Sequence, residues 1–233
     1  MVKICLFGLD YIVSTVTIKD KRIDQLKDIF QSAKKVYLQA ELIDREKASQ
    51  ADGLMLTEGV KLDIVLSDID FIETRISNCA DEAEKNLLLK LKAELEKEKF
   101  INEIELTDEE KKIIAVYPLL TIKPVFVIKD ETIELSELLL AAYTAFGYIS
   151  FFTAGEKDSH AWSIRSGANA HEASGAIHSD IQKGFIKADV LGFDDLIKAG
   201  SFNEARNQGL LRLEGKEYIV KDGDWITFRF NKY

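Results

Sequence analysis

Apolar and polar positions alternate between short runs and helical spacing in the first part of the chain. Short apolar runs at Lys3 to Gly8 and Tyr11 to Ile18 predict strands, because runs rich in β-branched residues that end at turn residues are typical of them. Apolar residues three and four apart behind Asp20, a candidate N-cap, predict a helix. Alternation from Val36 to Ile43 predicts a further strand, followed by a polar loop that extends through Gly53.

Residues 62–100 carry apolar side chains at helical spacing in two stretches, separated by an acidic break at Asp81 and Glu82. This pattern predicts a hairpin of two helices. The charged run KAELEKEK at 92–99 is typical of a solvated helix face with ion pairs between successive turns. The alternative is a projecting arm, whose narrow apolar seam docks on a protein partner.

Three signals organise the segment that follows the hairpin. Thr107 and Glu110 form a capping-box pattern, which predicts the start of a short helix. Lys123 to Ile128 predicts a strand with a proline near its beginning, where a missing N–H is tolerated. Leu135 to Phe146 is apolar nearly all round, as expected of a packed helix, and Gly147 is its candidate C-cap.

Strand signals return beyond Gly147 and alternate with short helical segments and glycine-containing turns. Predicted strands lie at 149–152, 160–164, 185–190, 211–213 and 225–230, and predicted helices lie at 172–177, 193–199 and 203–208. This order predicts a small mixed sheet with helices on one face, of the ubiquitin-like β-grasp kind.

Composition narrows the chain to an ordinary soluble globular protein. Its 233 residues are 46% hydrophobic, which is enough for a buried core, and no apolar run approaches the length of about 18 residues expected of a membrane span. Cys5 and Cys79 stand far apart, and the first residues do not resemble a secretory leader, so we expect a cytoplasmic protein without disulfides. The net charge of -9 lies mostly before residue 148 and disfavours nonspecific binding to nucleic acid.

Four segments in the second part of the chain carry a family resemblance. They are FFTAGEK at 151–157, AWSIRSG at 161–167, SGAIHSDIQKGFIKADV at 174–190 and LLRLEGKEYIVKDGDWITFRFN at 210–231. Together they closely resemble the C-terminal TGS region of the YchF subfamily of Obg-related P-loop NTPases. Weaker similarity extends upstream, where ELLLAAYTAFGYISFF resembles the helix that joins that family's two domains, KPVFVIK the strand before its base-recognition motif, and IVLSDIDFIETRI the first arm of its helical insertion.

The motifs that this family uses for nucleotide chemistry are incomplete here. A P-loop has the pattern GxxxxGK[ST], in which backbone N–H groups and the lysine hold phosphates and the hydroxyl holds magnesium. Gly8 is followed by Leu-Asp-Tyr-Ile-Val and then Ser14-Thr15, with neither the second glycine nor the lysine, so the two hydroxyls are expected in a strand. Asp44 resembles the aspartate of the switch DxxG motif without its glycine, and Lys129-Asp130-Glu131 stands where the NxxE-type motif belongs.

Gly8 and Asp44 are therefore remnant positions in a chain for which we expect no nucleotide-binding, catalytic or metal-binding residues. A lone carboxylate at a strand end is more typical of a turn or a cap, which applies to Asp44 and, before the next helix, to Asp130. The loop after Gly8 is decisive, because an anion-binding nest at a helix N-terminus would favour nucleotide binding, whereas direct passage into a strand would not.

The histidines and the basic residues of the second part are the remaining candidates. His160, His171 and His178 lack ligand-like spacing to cysteine or carboxylate, so no metal site is expected. A small surface that faces RNA or the ribosome is the better prediction, and scattered solubilising charge is the alternative. Its candidate residues are Lys157, His160, Arg165, His178, Lys183 and Lys187.

The resemblance implies an α/β domain followed by an α+β domain. Residues 1–147 are expected to form a shrunken P-loop-NTPase-like α/β domain, with the helical hairpin inserted at about 62–100, and residues 148–233 a TGS domain. We expect a protein that is not an enzyme, needs no cofactor, and contacts the ribosome, RNA or a protein partner. The alternative is an ATP- or GTP-binding protein of the YchF/Obg type with residual nucleotide affinity. An enzyme that acts on a small ligand ranks last, because no acid–base pair or nucleophile is visible.

Overall fold

The computed structural model describes residues 1–10, 12–130 and 132–231. The chain forms two compact units, and each is made of two separate segments. Unit 1 comprises Met1–Val16 and Ala40–Phe146, and unit 2 comprises Thr17–Gln39 and Gly147–Tyr233. This division differs in one segment from a simple boundary at residue 147, because Thr17–Gln39 is part of unit 2.

Most of the secondary structure agrees with the sequence-based expectations. The strands are β1 Val2–Phe7, β2 Ser14–Ile18, β3 Lys34–Val36, β4 Leu38–Ile43, β5 Gly53–Thr57, β6 Val125–Ile128, β7 Tyr148–Ala154, β8 Asp158–Arg165, β9 Phe185–Gly192, β10 Arg212–Glu214 and β11 Asp224–Phe230. The helices are α1 Arg22–Phe30, α2 Lys61–Asn78, α3 Glu82–Leu95, α4 Asp108–Ile114, α5 Leu135–Ala145, α6 Ala170–Ile177, α7 Ser179–Lys183, α8 Phe193–Ala199 and α9 Phe202–Asn207. In the described part of the chain, no helix combines the length and the apolar character that a membrane crossing requires.

The first sheet has the strand order β2-β4-β1-β5-β6. β1 is parallel to both β4 and β5, and β6 is parallel to β5. Ile4, Cys5 and Leu6 of β1 are almost completely buried. Since parallel strands are covered on both faces, they appear in the sequence as continuous apolar runs. The carboxyl ends of β1, β4 and β5 consequently meet at one edge of the sheet.

The sequence pattern does not predict β5, which lies next to β1. Its five residues are all buried, so its Leu-Met-Leu run lacks the alternation that identifies a half-exposed strand. Gly53 is the first residue of the strand, and a glycine fits here because a Cβ at this position would lie 2.4 Å from the ring of Phe146. The predicted polar loop before it contains a short 3-10 turn at Arg45–Gln50.

The predicted helical hairpin corresponds to α2 and α3. Their buried side chains belong to the same hydrophobic core as residues of the first sheet, so these faces of the hairpin are packed within unit 1. The core includes Cys5, Leu54 and Leu56 from the strands and Ile64, Val65, Ile72, Leu88 and Leu91 from the helices. The capping box of Thr107 and Glu110 is also confirmed, at the start of α4.

Unit 2 contains a mixed sheet with the strand order β10-β9-β11-β7-β8-β3. β7 and β8 form an antiparallel pair, β11 is parallel to β7, and β9 is antiparallel to both β10 and β11. Phe151, Ile226 and Phe228 extend from one face of this sheet and pack with Ala170 and Ala173 of α6. The short helix α7 lies outside the sequence-based predictions.

The segment Thr17–Gln39 supplies an edge strand and a helix to unit 2. β3 pairs in parallel with β8, where Lys34 lies opposite Asp158 and Val36 opposite His160. Phe30 at the end of α1 stacks on Trp225 with a centroid distance of 5.6 Å. Trp225 alternates along β11 with Ile226, so α1 packs on the sheet face opposite to the α6 face.

Candidate functional site

The carboxyl ends of β1 and β4 border a cavity of about 270 Å³ in unit 1. In the sheet, β4 is the neighbour of β1 on one side and β5 is its neighbour on the other side. Ligands of open α/β sheets bind outside the carboxyl ends of the strands, which is the side of the sheet where this cavity lies. The lining residues are Leu9, Asp10, Val13, Asp44 and Arg45.

Gly8 follows the end of β1 and directly precedes Leu9 of the cavity lining. Its φ of 87° lies in the left-handed region that favours glycine, and a Cβ would lie 1.9 Å from Oγ1 of Thr57 at the end of β5. Beyond it, residues 9–10 and 12–13 lead to β2 and form no helix. The described residues between β1 and β2 therefore do not form the loop and helix N-terminus with which a P-loop holds phosphate.

Arg45 carries the positive charge of the cavity lining. Its Nε donates a hydrogen bond to the carbonyl oxygen of Leu6, and its Nη2 donates one to that of Leu9, both at 3.2 Å. The guanidinium also lies over the ring of Phe7, 5.7 Å from its centroid. The sequence does not predict that Arg45 lines this cavity, because a P-loop carries its cation after the first strand. The signal that identifies Arg45 is its place directly after the strand-end Asp44.

Asp44 is the N-cap of the 3-10 turn that contains Arg45. Its Oδ1 accepts a hydrogen bond from the backbone N–H of Glu46 at 3.0 Å. Ser14 and Thr15 lie in β2, as predicted, and Oγ of Ser14 donates to the carbonyl of Ile12. Of the two remnant positions, Asp44 lines the cavity and Gly8 directly precedes the lining residue Leu9. The carboxylate of Asp44 also stabilises the local turn.

Asp130 does not cap the helix that follows it. The N-cap of α5 is Glu134, whereas Oδ1 of Asp130 accepts hydrogen bonds from the N–H and the hydroxyl of Thr132, at 2.9 and 2.6 Å. These two hydrogen bonds lower the pKa of the Asp130 carboxyl. Asp130 therefore closes a turn after β6, which explains why the prediction of a helix cap is wrong.

The three histidines occupy separate environments in unit 2. His160 is half-buried and stacks on Trp162 at a centroid distance of 3.8 Å. Burial lowers the pKa of its imidazole, Lys34 acts in the same direction, and Asp158 opposes both. His178 caps α7, where its Nδ1 accepts from the backbone N–H of Asp180. Within the described ranges, no three His, Cys, Asp or Glu side chains form a group that could hold a metal ion.

The six predicted partner-binding residues do not lie on one surface of unit 2. Lys157 precedes β8 and Arg165 ends it, so about 25 Å of extended strand separates them. His160 shares a sheet face with Trp162, which stacks with Phe151 of the α6-side core. Lys187 lies opposite Arg229 and alternates with the buried Ala188, which places it on the other face.

A groove of about 360 Å³ is lined by one of the six residues. Lys157 lines it together with Ile177 of α6 and Ile181 of α7. His178 is the N-cap of α7, and Lys183 is its last residue. His178 and Lys183, both exposed, thus lie at the two ends of the helix that contributes Ile181 to the groove, and neither is among the lining residues.

Comparison with known families identifies the second part of the chain. Residues 148–231 match the YchF-GTPase_C model, which is described as a protein of unknown function (DUF933). The ribosome-binding ATPase YchF of Bacillus subtilis is 30% identical over 240 aligned residues, covering 75% of this chain. The ribosome-binding ATPase YchF of Mycoplasma genitalium is 48% identical over 97 residues, and the Obg-like ATPase 1 of Danio rerio is 44% identical over a stretch of the same length.

The chain is similar to only a part of these relatives. The alignment spans 66% of the Bacillus subtilis protein, 26% of the Mycoplasma genitalium protein and 24% of the Danio rerio protein. The solved structure of the Schizosaccharomyces pombe YchF GTPase superposes with a TM-score of 0.73 over 95% of this chain and 88% of that one, at 19% identity. This chain therefore shares the mixed α/β fold of the Schizosaccharomyces pombe protein.

The names of the relatives contradict the expectation that the chain is not an enzyme. The bacterial proteins are named ribosome-binding ATPases, and the Danio rerio protein is named an ATPase, which indicates an NTPase. The expectation depended on the missing P-loop lysine, DxxG glycine and NxxE-type motif. Such motifs describe one way of holding phosphate, and their loss does not exclude another. The alternative of a nucleotide-binding protein is the better supported of the two.

Proposed function

The chain belongs to the YchF family, and on that premise we propose that it is a ribosome-associated protein that binds and hydrolyses ATP or GTP. Unit 1 takes the nucleotide and unit 2 contacts the ribosome. A cytoplasmic location follows from a ribosomal partner. The relatives' names support both activities, since they combine ribosome binding with ATP hydrolysis.

The crevice at the carboxyl ends of β1 and β4 is the observation that carries the nucleotide assignment. It lies outside the carboxyl ends of two parallel strands, the side of the sheet on which α/β proteins bind such ligands, and it contains one guanidinium and two carboxylates. A guanidinium matches the paired oxygens of phosphate, and carboxylates accept the sugar hydroxyls or hold magnesium. Polyphosphate esters are the ligand class that this combination suits.

Hydrolysis in this chain has to proceed without a P-loop lysine. Removal of a single donor from a charge-stabilising site typically slows turnover by about 10²–10³-fold. We therefore expect measurable but slow release of phosphate, limited by the weaker stabilisation of charge on the transferred group. Both ATP and GTP have to be tested, because the NxxE-type base-recognition motif is absent from the sequence.

A thermal-stability titration tests nucleotide binding directly. Purified protein is heated with increasing ATP or GTP in the presence of magnesium, and saturation to 100 times Kd should add about 2.7 kcal/mol to the free energy of unfolding. Phosphate release from the same samples measures hydrolysis. A flat response with both nucleotides up to millimolar concentration would contradict the assignment of unit 1.

Unit 2 supports the ribosomal part of the proposal. We assign residues 148–231 to a TGS domain of β-grasp type, because the order β9-β11-β7-β8 with β11 parallel to β7 and α6 on one face is the arrangement of such domains. Lys157, His178 and Lys183 beside the α6–α7 groove are the preferred contact residues.

Co-sedimentation with ribosomes over a salt series tests this assignment. Charge reversal of Lys157 and Lys183 together should weaken association and flatten its dependence on salt, because each lost phosphate contact removes part of the counterion release. The matched control is charge reversal of Arg165 and Lys187, which lie away from the groove. Equal effects of the two double variants would contradict the assignment of the groove as the contact surface. Absence of wild-type association at low salt would contradict the assignment of the ribosome as a partner.

A further inference from the structure

The cavity beside Gly8 contains a cation that the family's motifs do not provide. Arg45 is an exposed residue, yet two carbonyl oxygens and the Phe7 ring hold its side chain across the turn that follows β1. A long flexible side chain normally loses rotamer freedom when it binds a ligand. Since Arg45 is already held in place, less of that freedom remains to be lost on binding.

We infer that Arg45 contacts the phosphates of the bound nucleotide, in the role that a P-loop assigns to the lysine after the first strand. The inference rests on the proposed nucleotide binding and deepens it, by naming the residue and the part of the ligand that it recognises. Arg45 follows β4 in the sequence, yet it lines the cavity at the end of β1. A residue on a neighbouring strand end can reach the same ligand, because parallel strands meet at this edge.

The carboxylates in the cavity define the ligand more closely. Asp10 and Asp44 line it together with Arg45, so a free phosphate would meet more negative than positive charge. A magnesium complex of a polyphosphate removes this conflict, because carboxylate and phosphate oxygens are the ligands that magnesium takes in nucleotide sites. The ligand class is therefore the magnesium complex of a nucleoside di- or triphosphate, with the guanidinium on phosphate.

Equilibrium binding with Arg45→Ala, Arg45→Lys and the control Lys47→Ala tests the inference. Lys47 lies in the same 3-10 turn, is exposed, and is not part of the cavity lining. The probes are Mg-ATP and Mg-ADP, the corresponding guanine nucleotides, and adenosine. Arg45→Ala should bind the nucleotides at least about tenfold more weakly, as expected for loss of a charge-assisted hydrogen bond. Adenosine, which has no phosphate, should bind wild type and variant alike, and Lys47→Ala should resemble wild type.

The probes separate this inference from the proposed function. If wild type binds Mg-ATP and Arg45→Ala binds it equally well, Arg45 is not the phosphate contact and the nucleotide assignment stands. If wild type binds none of the probes, the proposed function fails and the inference fails with it. Equal weakening of adenosine and Mg-ATP would assign Arg45 a structural role instead, which also overturns the inference. Arg45→Lys keeps the positive charge but loses the paired N–H donors of the guanidinium. Partial recovery of Mg-ATP binding in this variant, relative to Arg45→Ala, would therefore support the inference.

Discussion

Arg22 and Asp222 form an ion pair across 200 positions of the sequence, with Nη1 and Oδ2 at a distance of 2.7 Å. Arg22 also donates to the buried Asp20, and Asp222 accepts from the backbone N–H of Ser150. Burial disfavours the charge of Arg22, but the hydrogen bonds that the guanidinium donates to the two carboxylates raise its pKa above the usual value. The N-terminal end of α1 is thereby tied to the turn before β11 in unit 2.

Loss of Arg22 should destabilise unit 2 more than loss of Asp222. Arg22→Met leaves Asp20 buried without its cation and should lower the free energy of unfolding by about 2–3 kcal/mol. Asp222→Asn affects a half-exposed partner and should lower it by about 1 kcal/mol. Urea denaturation measures both, with Gln25→Met on the exposed side of α1 as the control. The reverse order of the two losses would contradict this account.

The buried carboxylate of Asp68 should be essential for unit 1. Its oxygens accept from the N–H of Leu120 and from the N–H and hydroxyl of Thr121, at 3.0, 2.8 and 2.6 Å. Asp68→Ala leaves these donors without an acceptor and should lower the free energy of unfolding by about 3 kcal/mol. Thr121→Val removes only one donor and should lower it by about 1 kcal/mol.

Chemical denaturation of Asp68→Ala, Thr121→Val and the double variant forms a cycle. Ser67→Ala, at the exposed neighbouring position of α2, is the control and should leave stability unchanged. If Thr121→Val costs as much in the Asp68→Ala background as in wild type, the two side chains do not interact and the assignment is wrong.

Gly8→Ala should destabilise the chain, whereas Gly59→Ala should not. The alanine at position 8 has to adopt a positive φ and displace Thr57, which together cost about 2 kcal/mol or more. A Cβ at Gly59 meets no atom within 4 Å, so this substitution is the matched control. Thermal unfolding of the two variants decides the point, and equal melting temperatures would show that the turn after β1 adapts to a side chain.

His160 should make unit 2 less stable in mild acid. Burial, assisted by Lys34, holds the pKa of His160 below the usual value of 6.5. The unfolded chain therefore binds a proton at a higher pH than the folded one does. The stability from neutral His160 is fully present above about pH 6.5 and is lost as the pH falls through the folded pKa.

The free energy of unfolding, measured as a function of pH for wild type, His160→Gln and the exposed control His178→Gln, tests this predicted loss of stability in acid. The Gln variant loses the stack on Trp162 at every pH, so only the slope between about pH 7 and pH 5 is informative. We expect a shallower slope for His160→Gln than for the control. An unchanged slope would show that His160 does not contribute to the acid sensitivity, and NMR titration of its ring protons would measure its pKa independently.

The sequence by itself determined the local elements and the family. Apolar spacing located α2, α3 and α5, the Thr107–Glu110 pattern placed the start of α4, and the segments between 151 and 231 identified the relatives. These features depend on side-chain period, capping and motif, which are properties of neighbouring residues. The short helix α7 and the strand β5 are not predicted, and for β5 the reason is that burial on both faces removes the alternation that reveals a strand.

Only the tertiary structure decided which distant elements share a unit. Thr17–Gln39 belongs with Gly147–Tyr233, and its Ser32 hydroxyl bonds the carbonyl of Gly155, which no local pattern indicates. The same holds for Arg45, since its place in the cavity at the end of β1 follows from the parallel pairing of β1 with β4. Pairing partners are selected by packing of the whole chain, so residues far apart in sequence acquire a common site only when the sheets form.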